Sequence, residues 1–291
     1  NQTEVTGAGG DPRTPPNIPI HTKQTEARIA ALKAEITAHE ETMAARQTTL
    51  APGQNTWEKE ALAKVWENEK RWSILEVTNA TATHQALEVL DDGALLATGE
   101  LPENEEYHLE AKTNLSHVRA LRLEALRYVE KKDGRLIPAT TGNFVLTDLR
   151  ISLRHADGTE SPLPFARASA TYEQGNFAIT AVYDDDPESG WAIYEGVPID
   201  RAQEAVLHFE EPVALTANDT LIITLKHDSK HKQHILRHFR LSVTKEANPP
   251  LAPAHHDIAP LLRTPPEHRP DEDAARLLAA FHDADPEFRD A

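Results

Sequence analysis

Cysteine is absent from the 291 residues. That excludes disulfides, thiolate nucleophiles, CxxCH haem attachment and cysteine zinc sites within this chain. Methionine occurs once, at Met43, and the first residue is Asn1. The expectation is a processed product or a piece of a longer polypeptide, with any targeting signal upstream. No apolar run approaches the roughly 20 residues that span a bilayer. Positive charge is scarce, with 30 Lys+Arg against 47 Asp+Glu and a net charge of −17. Such a chain repels phosphate backbones, which argues against a nucleic-acid partner. Enzyme signatures are missing too: there is no GxSxG elbow, no HExxH, no phosphate-cradling GxxxxGK and no GxGxxG.

Hydrophobic residues make up 39% of the chain and charged residues 26%, enough to build a core. Twenty prolines and 12 glycines suit a loop-rich β protein better than a helical bundle. The stretch that organises the rest is NFAITAVYDDDPESGWAI, residues 176–193. Phe177, Ile179, Ala181 and Tyr183 alternate along an expected strand. An acidic turn follows, and Trp191 reads as a buried anchor rather than a displayed ring.

In chain order, residues 1–22 carry GAGG and four close prolines, an extended arm. Residues 23–71 read as a helical hairpin. Ile29, Leu32, Ile36, Met43 and Leu50 form one narrow apolar stripe with steps of three, four and seven. Ala51-Pro52-Gly53-Gln54 breaks the first helix, and Asn55 with Glu58 offers a capping box for the second. The hairpin is expected to act as a strut on the next domain, with a partner-binding coiled coil as the less favoured reading. Residues 72–246 switch to period two. About ten short strands separated by turn chemistry, including a hairpin at Asp91-Asp92-Gly93, predict an antiparallel jelly-roll or β-sandwich. Residues 131–142 are expected to be a surface loop between two of the strands. Residues 247–291 form a proline-rich tail in which Asp271 caps a short helix and Leu277, Leu278 and Phe281 share a face. The fold class is therefore mainly β, with helical material at both ends.

Several stretches resemble a known group. ALRLEAL (120–126), GNFVLTDLRI (142–151), the ASATYEQ to DDDPESGWAI run (168–193) and HFRLSVT (238–244) are similar to the middle of large planctomycete-type proteins. Those proteins carry a cytochrome-c-like domain and two flanking domains of uncharacterised function, labelled PSCyt and PSD. The resemblance implies a galactose-binding-like or discoidin-like sandwich and a periplasmic or extracellular location. It also implies flanking domains on the same polypeptide. Arg237-His238 and Asp185-Asp186 stand where that group has a small residue plus arginine, and Asp-Gly.

Two constellations carry candidate chemistry. Asp184, Asp186 and Glu188 alternate along the acidic turn and form a candidate structural Ca2+ site, because calcium takes about six to eight oxygens in such a loop. The competing reading is a solvated turn whose aspartates bond their own backbone amides. Residues 227–240, HDSKHKQHILRHFR, are the one basic island. Zinc would need three of His227, His231, His234 and His238 to converge, and the strand that follows separates them. His234 and Arg240 are the candidate ligand-binding residues, lining a positively rimmed pocket for an acidic sugar, a sulfate or an acidic surface. His255-His256-Asp257 reads as surface, and Trp57, Trp66 and Trp72 as packing. Asn1, Asn79, Asn114 and Asn218 open N-x-S/T sequences.

Three functional classes remain open. The first is a non-catalytic module binding carbohydrate or another surface polymer. The second is a structural adaptor between neighbouring domains or partner chains. The third is a glycan hydrolase with paired carboxylates, whose required separation and raised pKa no sequence shows.

Overall fold

A computed structural model describes residues 23–126, 129–132, 135–138, 143–184, 186, 188–196, 202–251 and 258–289. The proline-bearing arm, Asp185 and His255-His256-Asp257 lie outside the described residues. The chain divides into two compact units, residues 59–269 and, together, residues 1–58 with 270–291.

The larger unit is a β-sandwich. Its seven-stranded sheet is antiparallel. It contains β1 (Ser73–Ile74), β3 (Ala86–Val89), β4 (Ala94–Thr98), β6 (His117–Ala125), β12 (Phe165–Ala170), β14 (Gln203–Ala214) and β16 (His238–Thr244). The order is β12-β14-β6-β16-β4-β3, with β1 also on β16. The five-stranded sheet runs β11-β10-β15-β5-β2. These strands are β2 (Glu76–Ala82), β5 (Glu105–Lys112), β10 (Asp148–Arg154), β11 (Glu160–Pro162) and β15 (Thr220–His227). Alternation sends one side of each strand inward. Leu121, Leu123, Leu207, Phe239 and Leu241 of one sheet therefore meet Tyr107, Leu109, Leu149, Ile151 and Ile223 of the other in a single apolar cluster. The expected Asp91-Asp92-Gly93 hairpin joins β3 to β4, with Gly93 at φ +77° where a side chain would be strained.

Two expectations inside the sandwich change. The predicted strand over residues 177–183 is a turn of 3-10 helix, Ile179–Tyr183. Its backbone is bonded locally: the Ile179 N–H donates to the Glu173 carboxylate at 3.0 Å and the Ala181 N–H to the Ala178 carbonyl at 3.0 Å. Ile179, Ala181 and Val182 are buried by that tighter spiral. The predicted loop within residues 131–142 contains instead a two-stranded ribbon, β7 (Val129–Lys132) with β8 (Arg135–Pro138). Trp191 holds as the anchor. It is fully buried on β13 (Trp191–Ala192), which pairs with β9 (Val145–Leu146), and its Nε1 donates to the Tyr172 carbonyl at 3.0 Å. Gly190 makes this pairing possible. A Cβ there would stand 2.6 Å from the Leu146 carbonyl oxygen.

The N-terminal helical segment comprises α1 (Lys23–Leu50) and α2 (Gln54–Glu69). The break between them is one turn of 3-10 helix, Ala51–Gly53, with right-handed helical backbone at Leu50 and Gln54 on either side. The expected reversing loop is therefore a change of helical pitch. Asn55 lies inside α2 rather than at its cap, and Glu58 accepts instead from Gln54 one turn earlier, at 2.9 Å. After the sandwich come α3 (Ala259–Arg263), α4 (Asp271–Asp283) and α5 (Pro286–Arg289). Asp271 is the first residue of α4 and makes no side-chain cap. Leu277 and Phe281 are buried, whereas Leu278 is exposed. The tail leans on the N-terminal helices: Trp57 packs on Phe281, and Arg46 grips Asp285. No described helix is long and apolar enough to cross a membrane.

Candidate functional site

The aspartates of the acidic turn bond the turn's own donors. The Asp184 carboxylate accepts the Asp186 N–H at 2.9 Å and the Ser189 hydroxyl at 2.9 Å and 3.0 Å. The Asp186 carboxylate accepts the Glu188 N–H at 2.9 Å. Glu188 reaches away to pair with Lys230 at 3.1 Å. The three carboxylates do not turn toward a common point, and no three His, Asp or Glu side chains converge among the described residues. Each aspartate's geometry is set by the turn's own donors.

The four histidines of the basic island divide among three settings. His227 ends β15 in the core, 2% exposed and edge-on to Tyr107. Burial pushes its pKa down to about 3, against a smaller upward pull from the Glu105 backbone. His238 sits in β16. Only His231 and His234 come together, with ring centroids 6.2 Å apart. The connecting turn brings them there. Gln233 takes φ +65°, a left-handed conformation that costs a residue with a side chain, and its N–H is tied to the Glu103 carbonyl at 3.0 Å. The His234 ring is oriented by a 3.0 Å contact of Nδ1 with the Lys232 carbonyl.

This His pair borders a recess of about 170 Å³, completed by Asn143, Val145, Gln174, Phe177 and Tyr194. Phe177 stands edge-on to His231 at 5.6 Å. The two amides are set by the backbone around them. Asn143 Oδ1 accepts the Ile193 N–H at 3.1 Å, and Gln174 Oε1 accepts the Tyr194 N–H at 3.2 Å. No carboxylate lines the recess among the described residues. Phe177, Tyr194 and Gln174 belong to the organising stretch or flank it, but sequence gave no sign that they would meet the histidines 40 to 60 residues on.

Arg240 does not join His234. It lies on the opposite, outer side of the seven-stranded sheet and makes a two-pronged bond to Glu124, at 2.9 Å on each prong. The strand register lines up Glu204, Glu124 and Arg240 in one row and Val206, Arg122 and Ser242 in the next. Arg122 completes the ladder. It pairs with Glu124 at 3.2 Å and Glu204 at 3.7 Å, donates to the Ser242 hydroxyl at 3.0 Å, and its guanidinium sits 4.8 Å over the Trp72 ring. Arg122, Glu124 and Glu204 are 4%, 3% and 0% exposed. Burial pulls the Arg122 pKa down, while the hydrogen bonds Arg240 donates to Glu124 hold its own pKa up. The cleft of about 510 Å³ beside Arg122 and Arg240 is edged by Glu69, Asp91, Asp92 and Arg263, so it is not the positively rimmed pocket expected of Arg240.

Compared with family models and with curated proteins, the chain matches none.

Proposed function

We propose that this chain is a non-catalytic binding module whose recess at residues Asn143, Gln174, Phe177, Tyr194, His231 and His234 takes a neutral carbohydrate ring. The observation that carries this is the lining itself. Flat rings and two backbone-oriented amides converge with a pair of imidazoles, and no carboxylate is among them. Ring faces cover the apolar side of a sugar, while amides and imidazoles exchange hydrogen bonds with hydroxyls. At about 170 Å³ the recess is smaller than the roughly 300–1,000 Å³ of sites for larger ligands, which suits a single ring. A surface glycan is in keeping with the extracellular or periplasmic setting implied by the sequence resemblance. Hydrolysis has less support. One carboxylate pair set side by side by the strand register, Glu124 with Glu204, is buried and held by arginines, which does not suit a general acid and base.

The test is a glycan array followed by calorimetry on the hits. Expected are binding of neutral sugars without turnover, and a loss of roughly tenfold or more on Phe177→Ala with the melting temperature held. Binding that is indifferent to both Phe177→Ala and Gln174→Ala would overturn the assignment, as would an array without hits.

A further inference from the structure

The apolar stripe of α1 is covered along half its length. Its C-terminal half carries half-buried Met43, Arg46 and Leu50, and Arg46 is held by Asp285 at 2.7 Å and Glu287 at 2.8 Å, next to α5. Its N-terminal half is bare. Ile29, Leu32 and Ile36 are 39%, 40% and 56% exposed, and α1 has no buried residue along its 28 positions. A helix without tertiary burial is marginal in water, and among the described residues nothing covers this face.

The sequence around the stripe says what the partner is. Ile29, Ile36, Met43 and Leu50 repeat every seven residues, with Leu32 in the intermediate seam position, as in a coiled coil. Arg28 and Glu35 then flank the seam on one side, and Glu26, Lys33 and Glu40 on the other. In a parallel pair of these helices, Arg28 would face Lys33 and Glu35 would face Glu40, so like charges meet twice over. Turned antiparallel about the point between Ala30 and Ala31, the same residues agree. Arg28 faces Glu35 and Glu26 faces Lys33, each pair occurring twice by symmetry, while Ile29 packs on Leu32 and Ile36 closes over Thr25. A longer antiparallel overlap would set Ile29 against Arg46, whose guanidinium is already committed to Asp285.

We infer that the N-terminal half of α1 is a self-association surface that pairs antiparallel with α1 of a second copy of this chain. Two-fold symmetry makes the interface self-complementary, which is the usual way a single patch closes a dimer. Sedimentation equilibrium of the 291-residue chain across a concentration series tests it. The expected result is a monomer–dimer equilibrium that weakens with salt. Arg28→Glu should weaken the dimer by roughly tenfold or more, because two attractions become two repulsions. The double exchange Arg28→Glu with Glu35→Arg should restore it. A parallel dimer gives the opposite sign, since Arg28→Glu then creates an attraction to Lys33. Tightening by Arg28→Glu, indifference to it, or a monomer at every concentration would each overturn the inference. All these positions are solvent-exposed, and helicity by circular dichroism confirms that the variants fold.

Discussion

The outer faces of the two sheets are written in the same alphabet and live in different solvents. On the five-stranded sheet, Glu106, His108 and Glu110 of β5 alternate with core residues and look out into water, alongside Arg150 and Arg154 of β10. On the seven-stranded sheet, Arg122 and Glu124 of β6 alternate with core residues in the same way, yet they are as buried as the leucines between them. The difference comes from what lies above. Trp72 and Leu251 pack over Ala120 and Val206, and Asn248 is bonded by Arg167 at 2.8 Å as the chain after β16 runs across this face. Once covered, the charges can remain only as a mutually bonded set, because an unpaired charge in such a place is expensive. The charged ladder is therefore a second core, built from ion pairs rather than from methyl groups.

Neighbouring residues on opposite faces provide the strongest test. Leu123→Ala removes apolar packing and should cost about 2–5 kcal/mol. Arg122→Met should cost about 3–5 kcal/mol, because it removes the buried cation that Glu124 and Glu204 share and leaves Glu124 with Arg240 alone to balance the row. If the outer face were ordinary solvated surface, Arg122→Met would move stability by no more than about 0.5 kcal/mol. Replacing Arg122, Glu124, Glu204 and Arg240 together with apolar residues should recover most of that loss, since the desolvation penalty vanishes with the charges. Denaturant unfolding of the three variants measures all of it, and a quadruple variant less stable than Arg122→Met would break the comparison.

The inner face holds one group that turns the comparison into a pH effect. His227 is buried in the core, where the small pull of the Glu105 backbone does not offset the loss of solvation. Its folded pKa of about 3 lies below the ordinary histidine value near 6.5. The unfolded chain therefore binds a proton that the folded chain refuses. Its stabilising effect is fully present above about pH 6.5 and is lost as pH falls toward 3. Between pH 6.5 and 4 this single group should remove roughly 3 kcal/mol. His227→Phe, which keeps a flat ring beside Tyr107, should flatten the stability profile over that window. An unchanged slope in the variant would assign the acid sensitivity to other groups.

These results also mark how far the residues spoke for themselves. The alternation from Trp72 to Thr244 announces an antiparallel sandwich because period two is a local property, readable strand by strand. The Asp-Gly hairpin and the buried Trp191 follow from equally local chemistry. The 3-10 turn at Ile179–Tyr183 did not, because Phe177, Ile179, Ala181 and Tyr183 satisfy period two while the Glu173 carboxylate, reaching the Ile179 N–H, settles the matter. Glu105 is a second case. It drew no attention in the sequence, yet its carboxylate is buried and accepts the N–H groups of Thr83, His84 and Gln85. The recess was half legible. His234 stood out by composition, but its neighbours come from three separated segments that only the folded sheet order brings together. Arg240 was misplaced for the reason the ladder exists: a charged residue on an alternating strand looks solvated until its cover is known.

The smallest effect should come from the ladder's exposed counterpart. Arg154 and Glu110 form a two-pronged pair across the outer face of the five-stranded sheet, at 3.2 Å and 2.6 Å. Like Arg240 with Glu124 it is a two-pronged bond, made here through Nη1 and Nη2 instead of Nε and Nη2, and the guanidinium holds the Glu110 carboxyl below its ordinary range. Water, however, solvates either partner once the other is gone, and it screens the pair while it lasts. Arg154→Gln should therefore leave the thermal midpoint within the scatter of neutral surface substitutions, whereas Arg240→Gln should lower it clearly. Equal shifts for the two would mean that bond geometry, and not burial, sets the worth of an arginine–glutamate pair in this sandwich.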